Sequence, residues 1–329
     1  MLVLIGTVPQ EDFPLISGTA ILRDASLSVD GHDMSINRGT PALVAAASMA
    51  CDALGLPAPL SFLVGDIGLG NGSRKLYQHL KAHLPSLGAT VIAFHYLQPD
   101  VDWHNRVLWA LEEKGNLPVL IADAGYMYVA KMSGFAASYD LFTPDIGELA
   151  FLADEMAPHP FYTRGFILFE EDNVPGLMKR AFEGKNAAKT LLIKGSKDYI
   201  CTKEGIVATV DTPNVEALEP IGGTGDALTG MVAALAYSGY PVTRAATMAA
   251  EANRLAGKLA NPTPATQVAE IIKEIPKALE AVLNEAGKAQ EQTRPTTKAA
   301  TLGTLAHFRH LISMPKHNFN LTQKVRASG

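Results

Sequence analysis

Residues Pro118-Val119-Leu120-Ile121-Ala122 run apolar without a break and end on Asp123. A strand with one wet face alternates polar and apolar residues, whereas a strand without alternation is covered on both faces. Leu2-Val3-Leu4-Ile5, Ser61-Phe62-Leu63-Val64, Val91-Ile92-Ala93-Phe94 and Leu191-Leu192-Ile193 are of the same kind. Helical runs lie between them, at residues 41–54, 73–84, 102–114 and 174–182, the first with Pro41 in its first turn and Thr40 as an N-cap. Strand–helix alternation of this sort predicts an α/β protein with a mostly parallel sheet covered on both sides. Tyr199-Ile200-Cys201 and Ile206 to Val210, parted by Lys203-Glu204-Gly205, predict an antiparallel hairpin at one edge. Three helices follow, at residues 224–238, 242–259 and 266–283.

Composition narrows the class. Of 329 residues, 47% are hydrophobic and 19% charged, the balance of a well-packed enzyme. No run approaches a membrane span and no charged-then-apolar leader opens the chain, so a cytoplasmic location is the expectation. Cys51 and Cys201 are expected to be two buried thiols with no disulfide or zinc role. Net charge is -5, yet residues 286–329 carry seven Lys/Arg against one acid, Glu291. The expectation is one domain over 1–285 and a basic tail over 286–329, flexible or loosely docked, with an amphipathic piece at 302–312 that docks on the body or on another subunit. Nucleic acid is not the expected partner; a small-molecule substrate is, and a homo-oligomer is open.

In parallel sheets ligands bind at the carboxyl ends of the strands. Gly65, Asp66, His95, Asp123, Thr143 to Glu148 and Lys194 all fall at such ends. The densest signal is Ile221-Gly222-Gly223-Thr224-Gly225-Asp226, which opens an apolar helix. A glycine-rich helix entry bares backbone N–H groups and adds the dipole's positive potential, which suits an anion. Asp226 beside that nest suits a base for a hydroxyl that attacks a phosphoryl group; an N-terminal Asp that merely favours the dipole is the plainer account. Gly68-Leu69-Gly70-Asn71-Gly72 misses the dinucleotide fingerprint, because Ser73 stands where its third glycine belongs, and no Walker A pattern occurs. Glu148 either holds water around magnesium or stabilises a first helical turn. Arg38 either forks onto a phosphate or carboxylate or is a surface charge. Asp123 either serves the site or caps the next helix.

In order, these pieces resemble the ribokinase-like superfamily, and within it most closely the nucleotide-dependent NAD(P)H-hydrate dehydratases. The elements are Arg38-Gly39-Thr40-Pro41, Asp66 to Gly70, Leu120 to Ala124, Thr143-Pro144 through Glu148, Ile193-Lys194-Gly195, Gly222 to Asp226 and Asn261 to Thr266. The resemblance implies a three-layer α/β/α domain that binds ATP or ADP with Mg2+. It implies Asp226 as catalytic base with Gly223, Thr224 and Gly225 as the anion hole. Lys194, Gly195, Gly222 and Asn253 would meet the nucleotide; Asn37, Arg38, Gly39, Gly68, Gly70, Asp123 and Asp145 the substrate; and Glu148 the metal, through water. The implied activity is phosphorylation and dehydration of NAD(P)H hydrate. The alternatives are a sugar or small-alcohol kinase and a catalytically silent nucleotide binder, the last opposed by the intact glycine turn and Asp226. Asp145 stands where those dehydratases carry His, and Asp145-x-x-Glu148 lies near the Asn-x-x-Glu pattern of sugar kinases.

Overall fold

A computed structural model describes residues 1–157 and 173–292. Contacts separate Met1–Gly287 from Lys288–Gly329; the first unit carries everything below. Most of the basic tail, including the expected docking segment at 302–312, lies outside the described residues.

Eleven strands form one sheet in the order β11-β10-β9-β8-β7-β6-β1-β5-β2-β3-β4. Its centre is parallel: β1 (Leu2–Val8), β5 (Leu60–Gly65), β6 (Val91–His95), β7 (Val119–Asp123), β8 (Leu141–Phe142) and β9 (Thr190–Ile193). The expected hairpin closes one edge as β10 (Asp198–Thr202) and β11 (Gly205–Val210), antiparallel to β9. At the other edge stands a meander that sequence reasoning left unassigned: β2 (Ile16–Arg23), β3 (Ser26–Val29) and β4 (His32–Ser35). β3 and β4 are four residues each, and the longer β2 alternates exposed and half-buried residues after Ile16, so they lack the apolar runs that mark the central strands.

The central strands bury both faces by turns. Leu2, Leu4, Val91 and Ala93 point into one core, and Val3, Ile5, Ile92 and Phe94 into the other. The first core is roofed by α1 (Thr40–Ala53), α7 (Thr224–Tyr237), α8 (Val242–Leu259), α9 (Val268–Ile272) and α10 (Ile275–Gln292). The second is roofed by α2 (Asn71–His83), α3 (Val101–Glu112), α4 (Ala124–Met132), α5 (Ile146–Ala153) and α6 (Val174–Glu183). The result is the three-layer α/β/α arrangement. Alanines over 42–47 and 233–236 let α1 and α7 pack closely. At Gly230 contact is so tight that a Cβ would lie 2.3 Å from the Leu43 carbonyl oxygen.

Two local readings are corrected. Gly39, not Thr40, is the N-cap of α1; Thr40 is buried inside the helix and spends its hydroxyl elsewhere. The single helix expected over 266–283 is two, α9 and α10, and Pro276 falls in the first turn of the second, where a missing N–H costs nothing. Cys51 and Cys201 are buried and free, their thiols pushed up to about 12 by burial. Among the described residues no helix is long and apolar enough to cross a membrane.

Candidate active site

The strand ends and the start of α7 converge. Gly223 caps α7 in the left-handed region at φ 96, where a side chain would be strained, and a Cβ there would lie 3.0 Å from Arg38 Cα. A Cβ on Gly225 would sit 3.3 Å from the Lys194 side chain. The glycines therefore admit the Asn37–Arg38 backbone on one side and Lys194 on the other. The first-turn N–H groups of α7 have no partner within the helix.

Asp226 is the third residue of α7. Its Oδ2 accepts the Gly39 N–H at 2.6 Å and its Oδ1 accepts from His95 Nε2 at 3.0 Å. Burial raises its pKa, but the hydrogen bond and charge of His95, then Lys194 and the Gly39 amide, outweigh it and leave the carboxyl at about 2. Asp226 is thus an ionised carboxylate.

His95 ends β6, wholly buried, and pairs in register with Asp123, which ends β7. Its Nε2 faces two carboxylates, Asp226 at 3.0 Å and Asp123 at 3.8 Å, so that nitrogen carries a hydrogen. In the neutral ring Nδ1 then accepts the Thr40 hydroxyl at 3.0 Å. Tyr96, at positive φ, packs edge-on against the imidazole with ring centres 4.4 Å apart.

Asp123 does more than cap α4, although it does accept the Ala124 N–H. It also pairs with Lys194 Nζ at 3.0 and 3.2 Å and accepts the Thr229 hydroxyl at 2.7 Å. Thr143 in turn donates to Thr229 at 2.9 Å. Burial pulls the Lys194 ammonium down, but Asp123, Glu148 and Asp226 together hold it above its usual range. Lys194 N–H also bonds the Pro144 carbonyl at 2.8 Å, which brings Asp145 beside it as an isolated bridge.

Asp145 and Glu148 form a capping box on α5. Asp145 Oδ1 accepts the Glu148 N–H at 2.7 Å, and Glu148 Oε2 accepts the Asp145 N–H at 2.9 Å. Tyr128 donates to Glu148 Oε1 at 2.7 Å. Burial first, then Asp123 and Asp145, push Glu148 up to about 7 against the pull of Lys194. Carboxylates thus outnumber the single Lys194 ammonium at this end of the sheet; three of the four Glu148 and Asp145 oxygens already accept hydrogen bonds, so the pair suits a hard divalent cation held through water rather than by direct ligation. His95, Asp123 and Asp226 also offer donor atoms within 4.8 Å of one another. Those atoms, however, are spent on each other, on Lys194 and on Thr229.

Behind Lys194, Gly195 is held at both backbone atoms. Its N–H goes to Asp198 Oδ1 at 3.2 Å, and its carbonyl accepts from Arg254 at 3.0 Å. Asn253 precedes Arg254 on α8, and its buried Oδ1 has no hydrogen-bond partner among the described residues.

Of the residues singled out from sequence, Asn37, Arg38, Gly39, Asp123, Asp145, Glu148, Lys194 and Gly222 to Asp226 gather at one end of the sheet. Gly195 and Asn253 lie on its α8 side. Gly68 and Gly70 lie on the loop after β5, where their N–H groups go to Asp66 at 2.9 and 3.0 Å, as do the Ser73 N–H and hydroxyl. Burial raises the Asp66 pKa, but these bonds win and lower it. That loop rims a separate cavity of about 410 Å³ lined by Glu11, Asp12, Phe13, Leu69 and Lys75. His95 was visible only as a polar strand end, Thr40 was read only as an N-cap, and Thr229 was not singled out. Thr229, three residues beyond Asp226 on one helix face, carried a signal in that spacing.

A sequence model of the carbohydrate-kinase family, described as NAD(P)H-hydrate dehydratase, matches residues 98–277. An uncharacterised protein of Methanocaldococcus jannaschii, MJ1337, is 42% identical over 220 residues, 67% of this chain and 90% of that protein. Phosphofructokinase-2 from Escherichia coli in complex with substrates and products superimposes with a TM-score of 0.50 at 11% identity, over 85% of this chain and 99% of that one. The same enzyme in complex with potassium gives the same TM-score, 0.50, at 11% identity and the same coverage, 85% and 99%. At that identity the likeness shows the ribokinase-like fold alone. The family match spans more than half of the chain, and the chain therefore belongs to the carbohydrate-kinase family of NAD(P)H-hydrate dehydratases, enzymes on a ribokinase-like fold.

Proposed function

We propose that the protein repairs NAD(P)H hydrate in a nucleotide-dependent reaction. ATP or ADP phosphorylates the hydroxyl of the hydrated nicotinamide ring, and phosphate then leaves. The observation that carries this reading is an ionised Asp226 placed beside a helix N-terminus that glycines keep open. The terminal phosphoryl group would lie on the N–H groups of Gly223 to Gly225, with Lys194 balancing the charge that builds up. Asp226 takes the proton as the hydroxyl oxygen bonds to phosphorus and the bond to the rest of the nucleotide breaks. The C–O bond of the phosphorylated ring then breaks, a proton leaves the adjacent carbon, and the double bond returns.

Mg2+ would be held by Glu148, through water, with Asp145 beside it; bound there, it neutralises phosphate charge. Lys194, Gly195, Gly222 and Asn253 would meet the nucleotide, and the orphaned Asn253 Oδ1 suits a ligand N–H donor. Asn37, Arg38, Gly39 and Asp123 line the side from which the hydroxyl would come. A second reading, a sugar or small-alcohol kinase, uses the same Asp226 and is favoured by the Asp145-x-x-Glu148 element.

The test is recovery of reduced-nicotinamide absorbance from NADH hydrate with Mg2+ and ATP or ADP. Asp226→Asn should lower the rate roughly 100-fold or more, the range of general-base contributions. Alcohols phosphorylated by ATP while NADH hydrate is untouched would replace this reading with the kinase one.

A further inference from the structure

The protein contains its own control for Asp226. Glu148 and Asp226 are each the third residue of a helix, an acid in the first turn. Glu148 does what an acid at that position ordinarily does: it folds back and bonds the backbone N–H of its own N-cap residue. Asp226 does not. Its two oxygens are drawn off the helix, one by the Gly39 N–H and one by His95. If it turned back, it would place a negative charge on the N–H groups that the glycines leave open.

The geometry points to His95 as a positioning residue that holds Asp226 forward, so that one helix turn serves both as anion hole and as base. This rests on the phosphoryl-transfer reading above. The imidazole is itself fixed. Thr40 binds Nδ1, Tyr96 abuts the ring, and Asp226 and Asp123 face Nε2, with Lys194 neutralising Asp123 from its other side. Gly6 makes room for this: a Cβ there would lie 2.5 Å from Thr40 Oγ1 and 2.6 Å from the His95 carbonyl oxygen. Thr40, His95 and Asp226 thus form one chain of hydrogen bonds: hydroxyl to Nδ1, Nε2–H to carboxylate.

His95→Leu, His95→Gln, Thr40→Val and Thr40→Ser are compared with the unaltered protein in NADH hydrate turnover, following kcat, the nucleotide KM and the pH profile. The expected result is about a 100-fold loss of kcat in His95→Leu, as for a misplaced catalytic group. The nucleotide KM should stay within about twofold, and the acid limb should shift upward. His95→Gln, which keeps a donor near the Nε2 position, should recover part of the loss. Thr40→Val should lose about tenfold and Thr40→Ser should restore it. His95→Leu within about threefold of the unaltered kcat on an unchanged pH profile overturns the inference, as does a Gln variant no better than Leu. If His95→Leu does not fold, the Thr40 pair decides by the same criterion. If the unaltered protein turns over no NADH hydrate, the functional reading fails, and the inference is decided by nitrogen NMR of the labelled imidazole. A hydrogen on Nε2 with a bare Nδ1, altered in Thr40→Val, supports it; a hydrogen on Nδ1 with a bare Nε2 refutes it.

Discussion

Replacing Lys194 by Met should unfold the protein more readily for a reason that lies on its partner, not on the lysine. Met keeps the stem that packs over Gly225, so little packing is lost. What remains is Asp123, a carboxylate with 2% of its side chain exposed and no ammonium beside it. Removing one member of a buried pair destabilises by about 3–5 kcal/mol, because a charge is left uncompensated. The lower end applies here: the Lys194 side chain is 16% exposed, and the Thr229 hydroxyl and Ala124 N–H still bind Asp123. About 3 kcal/mol corresponds to a fall in Tm of about 6–12 °C for a domain of somewhat smaller size. Adding Asp123→Asn to Lys194→Met removes the stranded charge and leaves an oxygen to accept from Thr229. That double variant should regain about 2 kcal/mol in urea unfolding while staying inactive. A single variant that loses less than about 1 kcal/mol, or a double variant no more stable than the single one, would refute the reasoning.

Three further outcomes follow from the same geometry. Glu148 titrates at about 7 in the folded protein, above the 4.5 of an ordinary Glu. Its contribution to stability is therefore full below about pH 4.5 and is lost as pH rises through about 7; Glu148→Gln should flatten Tm against pH between those limits, and a slope identical to that of the unaltered protein would count against it. Gly230→Ala should be stabilising by roughly 1 kcal/mol on helix propensity alone. The Leu43 carbonyl 2.3 Å from the new Cβ predicts the opposite sign, a loss of about 1–3 kcal/mol in urea unfolding. Gly6→Ala should displace Thr40 and lower kcat by more than its change in Tm explains; loss of stability with kcat intact would separate Gly6 from the catalytic chain.

Much of this architecture was legible in the sequence, because burial on both faces of a parallel sheet leaves unmistakable apolar runs. Residues such as Lys194 and Asp123 were readable because each is the first ionisable residue after such a run. The edge meander was not legible: β2 has one partly wet face, and its pairing depends on β5, whose own sequence shows nothing of it. His95 was found as a polar strand end but given no role, since its meaning lies in three partners distant in sequence. Gly68 and Gly70 carry a different lesson: glycine runs mark backbone freedom, and here that freedom wraps the loop around Asp66. Thr40 was the expected cap of α1, and only the close approach of His95 explains why its hydroxyl is diverted.

The hydrogen bonds that assemble the site span long stretches of chain: 187 positions from Gly39 to Asp226, 131 from His95 to Asp226 and 71 from Asp123 to Lys194. No contiguous fragment holds more than part of it. During folding such contacts come under the slow, non-local regime that high contact order imposes, because each closes a large loop before it returns any stabilisation. Strand β6, the segment before α1 and the docked α7 must all be in place before Asp226 meets His95 and Gly39 together. Assembly of the Asp226 site is therefore an all-or-nothing property of the finished domain, and the recovery of activity after dilution from denaturant would time the last docking step, not the first collapse.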